Sequence, residues 1–198
     1  MKALALFDFD GTLTRKDSLP DFIRFAVGTP RMVIGAVCLA PVLCAYVLKV
    51  VDNGTAKERV LKYFFSGWKM SDLEALGVRY ATSRIPKILR IAGLERINWH
   101  RNEKHAVAVV SASPDIWLKA WAECHGLHLI CTRLEEKGSR FTGRYEGLNC
   151  HGIEKVRRIR EFFDLESFEK VYAYGDTAGD RPMLALAAEA FYKPFRNK

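Results

Sequence analysis

Two carboxylates, Asp8 and Asp10, stand at the end of the apolar run Ala3-Leu4-Ala5-Leu6-Phe7. A run of that kind reads as a central strand buried on both faces, and charge at its end is costly unless something uses it. Ligand sites in open α/β sheets lie just beyond the carboxyl ends of such strands. An ordinary Asp-Gly turn would account for Asp10-Gly11 taken alone. It does not account for Asp8. The chain is thereby steered toward a buried parallel sheet with acidic chemistry at the mouth of its first strand.

Three later segments repeat the pattern. Ala106 to Val110 is a second β-branched apolar run, and it ends in Ser111-Ala112-Ser113, where a hydroxyl can reach a phosphate oxygen. Read alone, those serines would be a helix cap before Pro114. Lys155 opens a charged helical stretch from Glu154 to Phe163, and in isolation it is a lysine on a solvated face. Val171 to Tyr174 is a last buried strand, followed by Gly175-Asp176-Thr177-Ala178-Gly179-Asp180. A turn rich in Asp and Gly is commonplace, but the order Asp, Ser, Lys, Asp at successive strand ends is not.

The 198 residues fit one core plus a modest insertion, and 49% apolar content is ample for a buried core. From residue 18 to 83 the pattern is helical, with breaks near Gly28-Thr29-Pro30, Asp52-Asn53-Gly54 and Ser66-Gly67, giving about four helices. From Pro86 helix and buried strand alternate, which means parallel strands with crossover helices. Thr132 to Gly147 reads as a hairpin turning at Lys137-Gly138 or Gly138-Ser139, with Phe141 to Tyr145 as the return strand. The expected division is a core of 1–14 and 86–198 and a helical cap of 15–85.

Lys and Arg total 31 against 23 Asp and Glu, a net charge of +8 that favours anionic partners without choosing among them. Five cysteines with no Cys-x-x-Cys pair point to neither a disulfide framework nor a zinc site, and a reducing cytoplasm fits best. No histidine has a partner at metal-ligand spacing. The N-terminus enters a strand at once, so a secretory leader is not expected.

Asp8-Phe9-Asp10-Gly11-Thr12, Val110-Ser111-Ala112-Ser113, Asn149-Cys150-His151-Gly152-Ile153-Glu154-Lys155 and Gly175 to Asp180 together resemble the four motifs of the haloacid dehalogenase superfamily. The likeness is to subfamily IB, the branch with phosphoserine phosphatase and phosphatidylglycerophosphatase C. It implies an α/β, Rossmann-like parallel sheet core with an inserted helical-bundle cap, and a phosphatase working through an aspartyl-phosphate. Asp8 would be the nucleophile and Asp10 the general acid and base. Mg2+ would be held by the Asp8 carboxylate, the Asp10 carbonyl and Asp176. Ser111 and Lys155 would hold phosphoryl oxygens, and Asp180 would orient Lys155 or a metal-bound water. Asp17 falls where phosphoserine phosphatases place a substrate-contacting Glu, and a helix-capping Asp is the alternative. Arg59 roughly matches their cap arginine for the substrate carboxylate, and a solvated helix Arg is the alternative. The chain departs from phosphoserine phosphatases at Gly11, usually Ser, and at Ala112-Ser113, usually Gly-Gly, so phosphoserine is not the expected substrate.

The seventeen residues Met32 to Leu48, between Arg31 and Lys49, carry no charge and are apolar all round. That length is at the lower edge of a membrane span, with Pro41 in its middle. Two readings stand. Either Leu39, Val42, Leu43, Tyr46 and Val47 complete the cap core, or an apolar face is left over for a hydrophobic phosphate ester or a membrane surface. The expected partner is thus a phosphorylated small molecule or lipid, with peripheral membrane contact through the cap on the second reading. Competing functions are phosphoserine hydrolysis, a non-enzymatic basic module for nucleic acid or anionic lipid, and a membrane-embedded relative. Nucleic acid is not expected, because no RNA-binding motif or aromatic-basic stripe is present. Oligomeric state stays open.

Overall fold

A computed structural model describes residues 2–196; the terminal positions 1 and 197–198 of the expected core lie outside them. Six strands form one sheet: β1 (Ala3–Phe7), β2 (Ala106–Pro114), β3 (His128–Lys137), β4 (Arg140–Glu146), β5 (Lys170–Gly175) and β6 (Glu189–Tyr192), in the order β4-β3-β2-β1-β5-β6. All neighbours are parallel except β3 and β4. β1 is central and fully buried, as its uninterrupted apolar sequence requires. Its side chains feed two layers, Ala3, Ala5 and Phe7 on one face and Leu4 and Leu6 on the other.

Four helices lie between β1 and the rest of the sheet: α1 (Ser18–Cys38), α2 (Ala40–Val47), α3 (Asn53–Phe65) and α4 (Met70–Ser83). A short α5 (Ile85–Ile88) and α6 (Ile91–Asn102) lead into β2, and α7 (Asp115–Cys124), α8 (Ile153–Phe162) and α9 (Arg181–Leu184) link the later strands. The α/β class and helical insertion agree with the sequence reading. Phe22, Phe65, Tyr80 and Trp117 join the insertion to the core, Phe22 stacking on Trp117 at 4.4 Å between centroids.

Three features differ from expectation. β6 is an additional parallel edge strand. β2 runs past Val110 to Pro114, with its register against β3 shifting between Ser111 and Pro114; such an irregularity re-aims side chains at a strand end. The stretch 32–48 is not one helix. Gly28 is non-helical within α1 (φ 79°, ψ 163°), and the chain bends by 65° between α1 and α2 around Leu39. No helix among the described residues is long and apolar enough to cross a membrane by itself, although α1 and α2 together are.

Two close backbone contacts fasten the insertion to the core. Gly67 N–H and Phe141 N–H donate to Phe141 O and Trp68 O at 2.8 and 3.0 Å, so the hairpin strand β4 pairs with the chain before α4. On the other side α4 lies so close to α7 that a Cβ on Gly77 would fall 1.9 Å from the Ile116 carbonyl oxygen. Backbone cannot yield there as a side chain would. Gly77→Ala is therefore expected to lower unfolding free energy by about 2 kcal/mol, the scale of an overpacked core, with a matching drop in the urea midpoint. An unchanged midpoint would show that α4 and α7 can separate freely.

Candidate functional site

The four motifs converge at the carboxyl ends of β1, β2 and β5. After β1 the chain makes one wide helical turn, Phe9–Leu13, closed by Thr14 N–H donating to Phe9 O at 3.1 Å; such turns recur at functional sites. Gly11 in that turn has φ +80°, and a Cβ there would sit 2.5 Å from Asp176 Oδ2. The positive φ favours glycine, and the missing Cβ leaves room for the Asp176 carboxylate.

Asp8 is buried, one oxygen accepting from Lys155 Nζ at 2.7 Å and the other from the Thr12 hydroxyl at 3.0 Å. Thr12 also lies 3.3 Å from Asp176 Oδ1. Lys155 is 1% exposed and reaches Asp180 Oδ1 at 2.7 Å, leaving its third proton for a ligand. Asp180 is saturated on its other oxygen, which accepts from Asp176 N, Thr177 N and Thr177 Oγ1 at 3.1, 2.9 and 2.8 Å. The Ser111 hydroxyl accepts from Ser113 N at 3.0 Å, and its own proton remains to be given.

Asp10 turns its side chain the other way. Its Oδ1 accepts from Ser18 N–H at 2.7 Å and its Oδ2 from Ser113 Oγ at 2.5 Å. Asp17 is exposed and caps α1 by accepting from Leu19 N at 2.9 Å, the capping alternative. Arg59 is exposed in a separate groove with Thr55, Glu58, Lys62, Gly143 and Arg144. The residues the sequence reading passed over are Thr12, Ser18, Ser113, Lys57 and Arg196. Thr12 and Ser113 lay inside quoted motifs and could have been flagged as hydroxyls beside carboxylates. Arg196, which pairs with Asp176 Oδ2 at 2.5 Å, carried no signal near the C-terminus.

Burial pushes the Asp8 carboxyl up to about 7, despite the Lys155 ammonium and with added repulsion from Asp180 and Asp10. Burial and Asp17 also raise Asp10, against the pull of Lys57, Ser113 and Ser18. Burial would neutralise Lys155, but Asp8 and Asp180 outweigh it and hold the ammonium above its usual value. Burial works against Asp180 too, and Lys155 and Thr177 overcome it, keeping that carboxyl below its usual range. The site therefore contains two carboxyls, Asp8 and Asp10, whose burial is not fully offset by positive charge, and Asp8 is the one beside Lys155 and Asp176. Asp8, Asp176 and Asp180 offer carboxylate oxygens within 4.8 Å of one another. With Asp180 saturated, Asp8 and Asp176 are the side chains that suit a small, hard divalent cation, and the glycine-lined approach at Gly11 keeps the turn beside them.

The profile of the haloacid dehalogenase-like hydrolases matches residues 5–185. The chain belongs to that family. Protein CicA of Caulobacter vibrioides is 36% identical over 98% of this chain and 87% of its own. A Bordetella pertussis protein of unknown function has the same fold, with a TM-score of 0.83 at 24% identity over 94% of this chain and 87% of that one. A phosphoserine phosphatase solved as a phospho-aspartyl intermediate analogue has a TM-score of 0.65 at 22% identity over 94% and 83%. The expected hydrolase class is thus met, and the phosphatase among the structural neighbours is in line with the expected enzyme.

The raised Asp8 value has a measurable consequence. A carboxyl easier to protonate when folded contributes its stability in full below its ordinary value of 3.8, and loses it as pH rises toward about 7. Asp8→Asn cannot ionise. In metal-free buffer its stability relative to the parent should climb between about pH 4 and pH 7, read by urea unfolding. A constant difference across that window would mean that Asp8 is already ionised at pH 4.

Proposed function

We propose that the protein is a Mg2+-dependent phosphatase that hydrolyses a phosphomonoester through an aspartyl-phosphate on Asp8. The observation that carries this reading is the placement of Asp8: a buried carboxylate at the end of the central strand, between Lys155 and Asp176. In this reading Asp8 Oδ attacks phosphorus while the ester oxygen leaves with a proton from Asp10. Asp10 then takes a proton from the water that attacks the aspartyl-phosphate, which releases phosphate and restores Asp8. Ser111 and the third proton of Lys155 hold phosphoryl oxygens, and Asp180 orients Lys155. Asp8, the Asp10 carbonyl and Asp176 would hold Mg2+, which when bound supplies positive charge for the Asp8 carboxylate and the phosphoryl oxygens. Residues 1–14 and 86–198 act as the catalytic core and 15–85 as the cap.

The substrate in this reading is a lipid or other hydrophobic phosphate, met at the cytoplasmic face of a membrane. Support comes from the segment that bends away at Gly28. Val33, Ile34, Val37, Val47, Leu48 and Val50 are each more than half exposed, and no residue of α2 is buried. Of the five side chains offered for a cap core, Leu39 is buried but Leu43, Tyr46 and Val47 are exposed. This uncharged arm is bracketed by Arg31 and Lys49 on a chain of net charge +8, a combination suited to anionic headgroups over an apolar interior. Phosphoserine is the second reading, favoured by the phosphoserine phosphatase fold, but Arg59, which only roughly matches the cap arginine for its carboxylate, lines a groove that contains none of the site carboxylates.

Purified protein should hydrolyse alkyl phosphates with Mg2+, stop in excess chelator and recover with Mg2+ but little with Ca2+. Asp8→Asn should fall to background while still folding. Full activity in chelator, or near-parental turnover by Asp8→Asn, would overturn the chemistry. The protein should also sediment with anionic liposomes and prefer a lipid phosphate to phosphoserine, and Val37→Ser with Val47→Ser should lose most of that sedimentation. A protein that ignores liposomes and prefers phosphoserine would remove the lipid reading alone.

A further inference from the structure

Asp10 does not meet its neighbours at random. Its two oxygens are held by two serines from different parts of the chain, Ser18 at the start of α1 and Ser113 at the end of β2, both fully buried. The Ser18 and Ser113 hydroxyl oxygens are 3.2 Å apart, and Trp117 Nε1 lies 3.0 Å from Ser18 Oγ. Trp117 is fully buried in α7 and stacked on Phe22, so its indole has a fixed direction.

These contacts admit one arrangement of protons. An indole N–H can only donate, so Ser18 Oγ accepts from Trp117. Among the described hydrogen bonds the Ser18 hydroxyl has no acceptor other than Ser113 Oγ, and a buried hydroxyl proton left without one is costly. The Ser113 proton is then committed to Asp10 Oδ2. The chain runs one way, from Trp117 through Ser18 and Ser113 to Asp10. With Ser18 N–H on Oδ1, each carboxyl oxygen has one lone pair engaged from outside the pocket. The acidic proton is left to a remaining lone pair.

We propose that Trp117, Ser18 and Ser113 form a one-way hydrogen-bond chain that orients the Asp10 carboxyl for proton delivery to the leaving alcohol, with Ser113 as the positioning residue. The inference rests on the phosphatase reading and adds to it a part that Ala or Gly at 113 could not play. It also makes the orientation of Asp10 depend on the seating of the first turn of α1, because Ser18 alone of the three hydrogen-bonding side chains belongs to the helical insertion.

Leaving groups of different basicity test the proposal. An alkoxide needs its proton as the P–O bond breaks, whereas p-nitrophenolate leaves readily without one. The quantity to compare is kcat/KM, which reports the steps through transfer of phosphorus to Asp8. For Ser113→Ala, the ratio of kcat/KM for p-nitrophenyl phosphate to that for a simple alkyl phosphate should rise about 30-fold, a fraction of what general acid catalysis contributes. Trp117→Phe keeps the ring and removes the donor, and should raise the ratio about 5-fold on the same scale. Ser113→Thr should restore it. Thermal unfolding of each variant checks that it is folded. A loss that is equal on both substrates, or no rescue by threonine, would overturn the positioning role while leaving the phosphatase reading intact. Failure of the parent protein to hydrolyse either substrate would instead remove the reading on which the proposal rests.

Discussion

The buried ammonium of Lys155 holds the site together. Two carboxylates, Asp8 and Asp180, lie 2.7 Å from it on either side, and all three groups are almost completely removed from water. Taking such charges out of solvent costs several kcal/mol each, repaid only by close geometry and by hydrogen bonds to the remaining lone pairs. The protein meets that condition unevenly. Asp180 has three further donors on its second oxygen, while Asp8 has only Thr12. One carboxyl is consequently locked and the other less fully bonded, and the difference arises from the packing of the loop after β5 rather than from any difference in residue type.

Much of this was readable from residue order, because burial writes itself into a sequence when a strand has no polar face. β1 matches its apolar run residue for residue, and the hairpin turn and the acidic loop after β5 lie where Gly and Asp announced them. The misses have physical causes. β6 is short, lies at an edge and alternates between half-buried and exposed residues, so its apolar content is weak. The end of β2 carries two serines whose burial depends on the bulge and on partners nearly a hundred residues away. Spacing alone left two roles open for Asp17 and for Arg59; the first caps α1 beside Asp10 and the second is exposed on α3.

The segment 32–48 shows the limit most clearly. Uniform apolarity says that a surface avoids water but not what covers it. Gly35 brings α1 onto α3, where a Cβ would lie 2.2 Å from the Phe64 ring, so one side of the arm is packed. Beyond the bend at Leu39, α2 keeps a contact with the start of α3, where Asn53 Nδ2 donates to Tyr46 Oη at 3.2 Å, but none of its residues is buried. Periodicity could not separate those two sides, since both are made of the same residue types.

The two fastenings of the insertion have a consequence for how such an enzyme can change. Rotation of the whole lid would break the backbone pairing between β4 and residues 67–70 and pull α4 off the Ile116 carbonyl. Outside those two contacts lies the arm of residues 29–51, which meets α3 through Gly35 and Tyr46. That exposed arm makes none of the hydrogen bonds that hold Asp8, Asp10, Asp176 and Asp180. Substitution, lengthening or shortening of the arm leaves the contacts of Lys155 with Asp8 and Asp180 in place, so the exposed surface and the acidic site can diverge as nearly independent traits.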